Sequence, residues 1–401
     1  MTLRRDGGVL APVCAGHFLS HLYILCLPPL FPLLHAELGV SFAALGLILT
    51  VFNAASGGAQ IPIGFLVDRF GGPAVVVGGL ALEAGAVLFM GLAPEYAALI
   101  TLAVVAGIGH SVFHPADYAI LSSTIDPGRI GKAFSLHTFA GHLGSAAAPA
   151  TVILMAAVVG WRHALVTIGA VGLLVMLVIL SQRDRLFGTA RAAGKSVRRP
   201  GGASVKDGLV LLLSAPMLLM FLFFLSTSLT SSGVQSFSVA AISTVHGAPL
   251  AAAGTALTGY LFASSIGVLA GGFLADRTRR HDRMAIIVFG ATGLVMVALG
   301  TTALPTLLVI TLFTLIGFAQ GLVRPARDML VRAAAPAGGM GRAFGFVSTG
   351  IAVGGSLAPI LFGWLVDAGR ADWVFYLIAA FMVLGITSVA LSRRAISRAA
   401  V

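Results

Sequence analysis

The sequence predicts an all-α polytopic membrane protein, with twelve transmembrane helices arranged as two six-helix bundles. Three observations carry this. Of the 401 residues 58% are hydrophobic, whereas only 25 basic and 14 acidic residues carry formal charge. A soluble chain of this length would hold roughly 25% charged residues, about 100 of them. The apolar residues fall into runs of ~20, the length a helix needs to cross a bilayer core. Those runs come as six, then a charged stretch, then six more. Disorder, a coiled coil, a disulfide scaffold and a nucleic-acid binder are excluded by the same composition, despite the net charge of +11.

Apolar runs between charged or Pro/Gly-rich breaks place spans near 10–34, 42–66, 73–93, 96–123, 133–157 and 163–182. The second set follows near 208–231, 250–275, 284–303, 305–331, 342–366 and 373–392. The domains expected are therefore 1–182, a solvated linker at 183–207 with seven Lys/Arg, and 208–401. Cys14 and Cys26 both lie in the first span and read as buried reduced thiols. No cleavable signal is expected, since Arg4 and Arg5 precede an apolar stretch that runs on into a full span.

An even number of spans leaves both termini on one side. Basic residues pick that side: 21 of the 25 lie at the termini, in the linker and in the loops that share their face. The opposite loops hold only Arg162 and Arg370, and Arg324 and Arg327 fall inside a span. This asymmetry predicts a bacterial inner-membrane protein with cytoplasmic termini, and reads the high pI as a fit to anionic headgroups.

The halves also repeat one another. Gly64-Phe-Leu-Val-Asp68-Arg69 ends span 2 and Gly272-Phe-Leu-Ala-Asp276-Arg277 ends span 8, an offset of 208. His114-Pro115-Ala116 matches Arg324-Pro325-Ala326 and Gly131-Lys-Ala-Phe134 matches Gly341-Arg-Ala-Phe344, both at offset 210. Linked spans run in the same direction, so the repeat is parallel, about an axis along the membrane normal.

The Gly-x-x-x-Asp-Arg element, present in both halves, resembles the loop signature of the major facilitator superfamily. Gly109-His-Ser-Val-Phe113-His114-Pro115, with Gly141-His-Leu-Gly144-Ser-Ala-Ala-Ala-Pro149, is similar to its fosmidomycin-resistance-type exporters. The resemblance implies alternating access by two bundles, with spans 1, 4, 7 and 10 lining a central cavity. Those spans hold intramembrane polar groups, which should face a cavity or another helix. Span 1 has His17, Ser20 and His21; span 4 has His110, Ser111, His114 and Asp117. Span 7 has the tract Ser226–Ser232, including Ser228 and Ser231; span 10 has Gln320, Arg324, Arg327 and Asp328.

On a helix of 3.6 residues per turn, His110, His114 and Asp117 share a face, as do Gln320, Arg324, Arg327 and Asp328. Histidine and a partly desolvated carboxylate can titrate as a proton-coupled carrier requires. Asp117, His114, His110, His21 and His17 are therefore the expected proton carriers. Arginine keeps its charge and grips an anion in two places. Arg324, Arg327, Gln320, Ser228 and Ser231 are expected at the substrate. Asp68, Arg69, Asp276, Arg277 and Asp328 are expected to gate. A structural alternative stays open for Asp117, which can pair with Arg69 or a span 10 arginine, and for each histidine, which can serve packing.

The expected function is proton-coupled export of small amphipathic or anionic compounds by a monomer, the partners being that small molecule, protons and the bilayer. Uptake or exchange of a small organic anion is the alternative. A lipid flippase or a membrane-embedded metalloenzyme comes further behind. The histidine pairs HFLSH, HSVFH and HTFAGH superficially match metal boxes, but they lie inside spans and no acidic set accompanies them. No metal site, no cofactor fingerprint and no enzyme are expected. Glu83 in span 3 is expected to be paired or protonated, and the glycine runs to be close helix contacts.

Overall fold

The computed structural model describes residues 3–126, 130–181, 214–278, 280–334 and 340–399. The predicted linker at 183–207 lies outside the described residues, as does the start of the predicted span 7. The chain divides into two compact units, Met1–Val197 and Arg198–Val401. Every regular element among the described residues is helical.

The first unit holds α1 (Leu3–Ile24), α2 (Phe31–Leu38), α3 (Phe42–Phe70), α4 (Gly72–Leu92), α5 (Tyr96–His110), α6 (Phe113–Thr124) and α7 (Ile130–Ser181). The second holds α8 (Ala215–His246), α9 (Leu250–Arg277), α10 (His281–Thr301), α11 (Thr306–Ala334), α12 (Met340–Asp367) and α13 (Asp372–Ala399). Eleven helical stretches are long and apolar enough to cross a membrane. One of them, Ala133–Ser181, contains two crossings, because α7 is two helical arms meeting at Gly160, where φ is 79°. The protein is thus a multi-pass membrane protein.

Five predicted spans differ from the observed helices, each for a local reason. Span 1 is interrupted: α1 stops at Ile24 and a 3-10 turn, Pro28–Leu30, precedes α2, since two adjacent prolines supply no N–H to continue the ladder. Span 4 breaks into α5 and α6 at Ser111 and Val112, because Pro115 cannot donate to the Ser111 carbonyl one turn earlier. Spans 5 and 6 join at one residue instead of through a loop. Span 7 was expected to end at 231, yet α8 runs to His246. Its hydroxyl tract does not end the helix because the hydroxyls bond back to it: Ser226 and Thr227 both donate to the Phe223 carbonyl, at 2.9 and 2.8 Å.

Packing follows the repeat. In the first unit α1 and α4 pack on α7, and α3 on α5; in the second α8 packs on α12 and α13, α10 on α13, and α9 on α11. A Cβ on Gly107 would stand 2.3 Å from the Phe52 carbonyl oxygen, and one on Gly317 2.0 Å from that of Tyr260. Those residues are repeat-equivalent. Equivalence extends to the turns, where left-handed glycines recur as Gly39 and Gly247 (φ 63° and 62°) and as Gly160 and Gly369 (φ 79° and 72°). Only a residue without Cβ takes that backbone without strain.

Candidate functional site

Five helices of the first unit bring titratable side chains into its interior. From α6, Asp117 is fully buried, and its Oδ2 lies 2.8 Å from His137 Nε2 on α7 and 3.6 Å from His17 Nδ1 on α1. The His17 and His137 rings stack at 3.8 Å between centroids, and His21 stands edge-on to His17 at 4.5 Å. His114 is 5.5 Å from His17 and 6.3 Å from His21, and is the exposed ring of the group. Further along, His110 lies 6.0 Å from His21 and pairs through Nδ1 with Glu83 Oε1 at 3.1 Å. Glu83, on α4, is also fully buried.

Small residues make this possible. A Cβ on Gly141 of α7 would lie 2.7 Å from the His17 ring and 3.0 Å from that of His21. One on Gly144 would lie 2.0 Å from the Phe18 carbonyl oxygen. These glycines let α1 and α7 approach until the imidazoles reach Asp117. Gly109 does the same between α5 and α4, where its Cβ would meet the Glu83 backbone nitrogen at 2.7 Å. Tight helix contact over small residues is how membrane helices associate without a hydrophobic drive.

Within its own unit Asp117 thus has histidine partners. His17, Asp117 and His137 offer donor atoms within 4.8 Å of one another. The two rings are stacked, 20° apart in plane, and the His137 Nε2 is already within hydrogen-bond distance of the carboxylate. The arrangement is a hydrogen-bonded carboxylate.

The second unit holds the cations. Arg327 pairs with the adjacent Asp328, Nη2 to Oδ1 at 3.1 Å, and its guanidinium lies 4.3 Å over the Phe224 ring. Arg324, a turn away, is half-buried near Tyr260. Gln320 donates to Thr292 Oγ1 at 3.0 Å and is committed to the contact between α11 and α10. Ser228 donates to the Ile351 carbonyl at 2.7 Å, tying α8 to α12, while Ser231 is half-buried. Arg69 and Arg277 are exposed. The side chains of Asp68 and Asp276 lie outside the described residues.

Sequence reasoning missed His137 as the partner of Asp117, and for Glu83 it expected a paired or protonated group without naming His110 as the partner. Attention fell on spans 1, 4, 7 and 10, whereas both residues come from flanking helices. Their signal was available: each is a lone polar group deep in an apolar run, which must find a partner.

Two helical units that repeat one another in sequence, each built of membrane-length apolar helices with polar groups buried among them, are the architecture of a secondary membrane transporter. The family model of the Major Facilitator Superfamily matches residues 13–238 and 225–399, and the chain belongs to that family. It is a transporter and not an enzyme. Among relatives, the chain is 24% identical over 400 residues to the fosmidomycin resistance protein of Escherichia coli K12, covering 96% of this chain and 93% of that one. It is also 24% identical to the "Probable sulfoacetate transporter" of Cupriavidus necator, with 94% and 91% covered. Among solved structures, an inward-facing bacterial homolog of the human lysosomal transporter Spinster superposes with TM-score 0.79 at 16% identity, covering 98% of each chain. The nucleoside transporter NupG gives 0.79 at 14%, covering 96% of this chain and 99% of that one.

Proposed function

We propose that this transporter is a proton-coupled exporter of small amphipathic or anionic compounds in the bacterial inner membrane, with both termini cytoplasmic. One observation carries the coupling: Asp117 is sealed from water between His137 and His17, next to the exposed His114. A carboxylate held among imidazoles can take up and release a proton as access changes. Arg324 and Arg327 supply fixed positive charge for the anionic part of a substrate, and the α8 hydroxyls adaptable hydrogen bonds. Asp68, Arg69, Asp276, Arg277 and Asp328 gate at the membrane face. The export direction rests on the fosmidomycin-resistance relative.

The test is Asp117→Asn in proteoliposomes with fosmidomycin as probe. Binding should persist while proton-driven transport falls at least tenfold; a variant that exchanges protons against the probe at the wild-type rate would sink the assignment. The sulfoacetate relative favours a second reading, uptake of a small organic anion. Accumulation of labelled sulfoacetate under an inward proton gradient would select it.

A further inference from the structure

Glu83 and His110 take no part in the function proposed above beyond the general role of a cavity histidine, yet they duplicate the Asp117 arrangement. Each is a fully buried carboxylate bonded to one imidazole: 3.1 Å for Glu83 with His110, 2.8 Å for Asp117 with His137. His110 and Asp117 are seven residues apart, about 10 Å along the helix direction. The break at Ser111 and Val112 sets them on separate segments, α5 and α6. Between them the rings of His21, His17 and His114 stand 4.5 to 6.3 Å apart, centroid to centroid. His110 completes the series at 6.0 Å from His21.

Among the described residues, ten buried side-chain polar atoms have no hydrogen-bond partner, and five of them fall along this line: Glu83 Oε2, His21 Nε2, His17 Nδ1, His137 Nδ1 and Asp117 Oδ1. The other five, on Thr230, Ser238, Ser243, His246 and Thr258, belong to the second unit. A buried polar atom without a partner costs stability, and five in one row call for an explanation. Function supplies one: an atom that must accept or release a proton in transit cannot be permanently committed. The other titratable groups beside the two ends are hydroxyls and thiols. Tyr23 and Cys26 of α1 lie near Glu83, and both already donate to backbone carbonyls, of Ile168 and Tyr23 respectively. Cys14 of α1 and Tyr118 of α6 lie near Asp117.

We propose that Glu83 is a second proton-binding site, joined to Asp117 by a histidine relay that runs through His110, His21 and His17 inside the first unit. The proposal rests on the reading of Asp117 as a proton carrier. In each step one imidazole nitrogen accepts a proton and the other releases one, so the ring returns to neutrality as the other tautomer and resets by rotation. Charge and protons balance, with a carboxyl group losing at one end what the other carboxylate gains. The protein then stores a proton at two depths, and its passage between them does not require the second unit.

Infrared difference spectroscopy on the purified full-length protein tests this without any substrate. Acidification should produce two protonated-carboxyl bands, and both should shift on transfer to D2O. Glu83→Gln should remove one band and Asp117→Asn the other. His21→Phe should slow deuterium exchange of the Glu83 band at least tenfold and leave that of the Asp117 band unchanged. If Glu83→Gln does not fold, His110→Gln should move the frequency of the Glu83 band alone. A Glu83→Gln spectrum that keeps both bands overturns the proposal, as does wild-type exchange of the Glu83 band in His21→Phe. Failure of Asp117 as the transport coupler would show in the proteoliposome assay instead, with both bands still present.

Discussion

Arg327 shows how much a single side chain can say before its surroundings are known. A chain with few charges cannot hide one at bilayer depth without a reason, so the sequence alone singles out Arg324 and Arg327. What it could not supply is the Phe224 ring 4.3 Å under the guanidinium, because that contact joins residues about a hundred positions apart. The planar cation is oriented by ring stacking and by Asp328. Arg327→Lys keeps the charge and loses the fork. Thermal stabilisation of the purified protein by fosmidomycin should then require at least tenfold more compound, with the unliganded melting temperature little changed. Asp117 was legible as a lone intramembrane carboxylate and its partners were not, since a sequence names the carboxylate but not which of ten histidines folds against it.

At the scale of the elements, glycine decides which helices touch. The apolar runs located nearly every span, because hydrophobicity is a local property. Breaks were less legible: Pro115 interrupts its helix, whereas its repeat-equivalent Pro325 lies within the continuous α11. The difference depends on neighbours that the local pattern does not contain. Two glycines of adjacent helices separate packing from propensity. A Cβ on Gly109 would stand 2.7 Å from both the Glu83 nitrogen and the Gly79 oxygen, whereas one on Gly78 meets nothing within 4 Å. Gly109→Ala should destabilise by about 1–3 kcal/mol through overpacking. Gly78→Ala should be neutral or slightly stabilising, since alanine favours helix. Thermal melts of the two variants in detergent check the contrast, and equal melting temperatures would show that α4 and α5 do not approach as described.

For the whole molecule, the six-plus-six pattern, the offset near 209 and the charge asymmetry were all readable, because topology in a bilayer is written in composition. The asymmetry predicts which turns face outward. Glu95 lies between α4 and α5, and Asp126 follows α6, on the opposite face. With Cys14 and Cys26 replaced, a membrane-impermeant maleimide added to intact cells should label Glu95→Cys and spare Asp126→Cys; the reverse result would invert the topology. The division of chemistry between the halves was only partly readable. Repeat alignment set His114 opposite Arg324 and Asp117 opposite Arg327, but it could not show that five of the ten imidazoles converge within one unit.

If the termini are cytoplasmic, as proposed, the left-handed glycines bear on how the transporter meets the world outside the cell. Gly39 and Gly160 in the first unit, and Gly247 and Gly369 in the second, turn the chain where the proposed topology puts the outer loops, and the connections there are short: residues 39–41, 93–95, 247–249, 302–305 and 368–371. Gly160 joins two spans alone. Such turns cannot thread the cleft of a protease, and they give an antibody little to wrap around. A binder raised to trap one conformation would have to grip the helix ends themselves, and so would report directly on their movement.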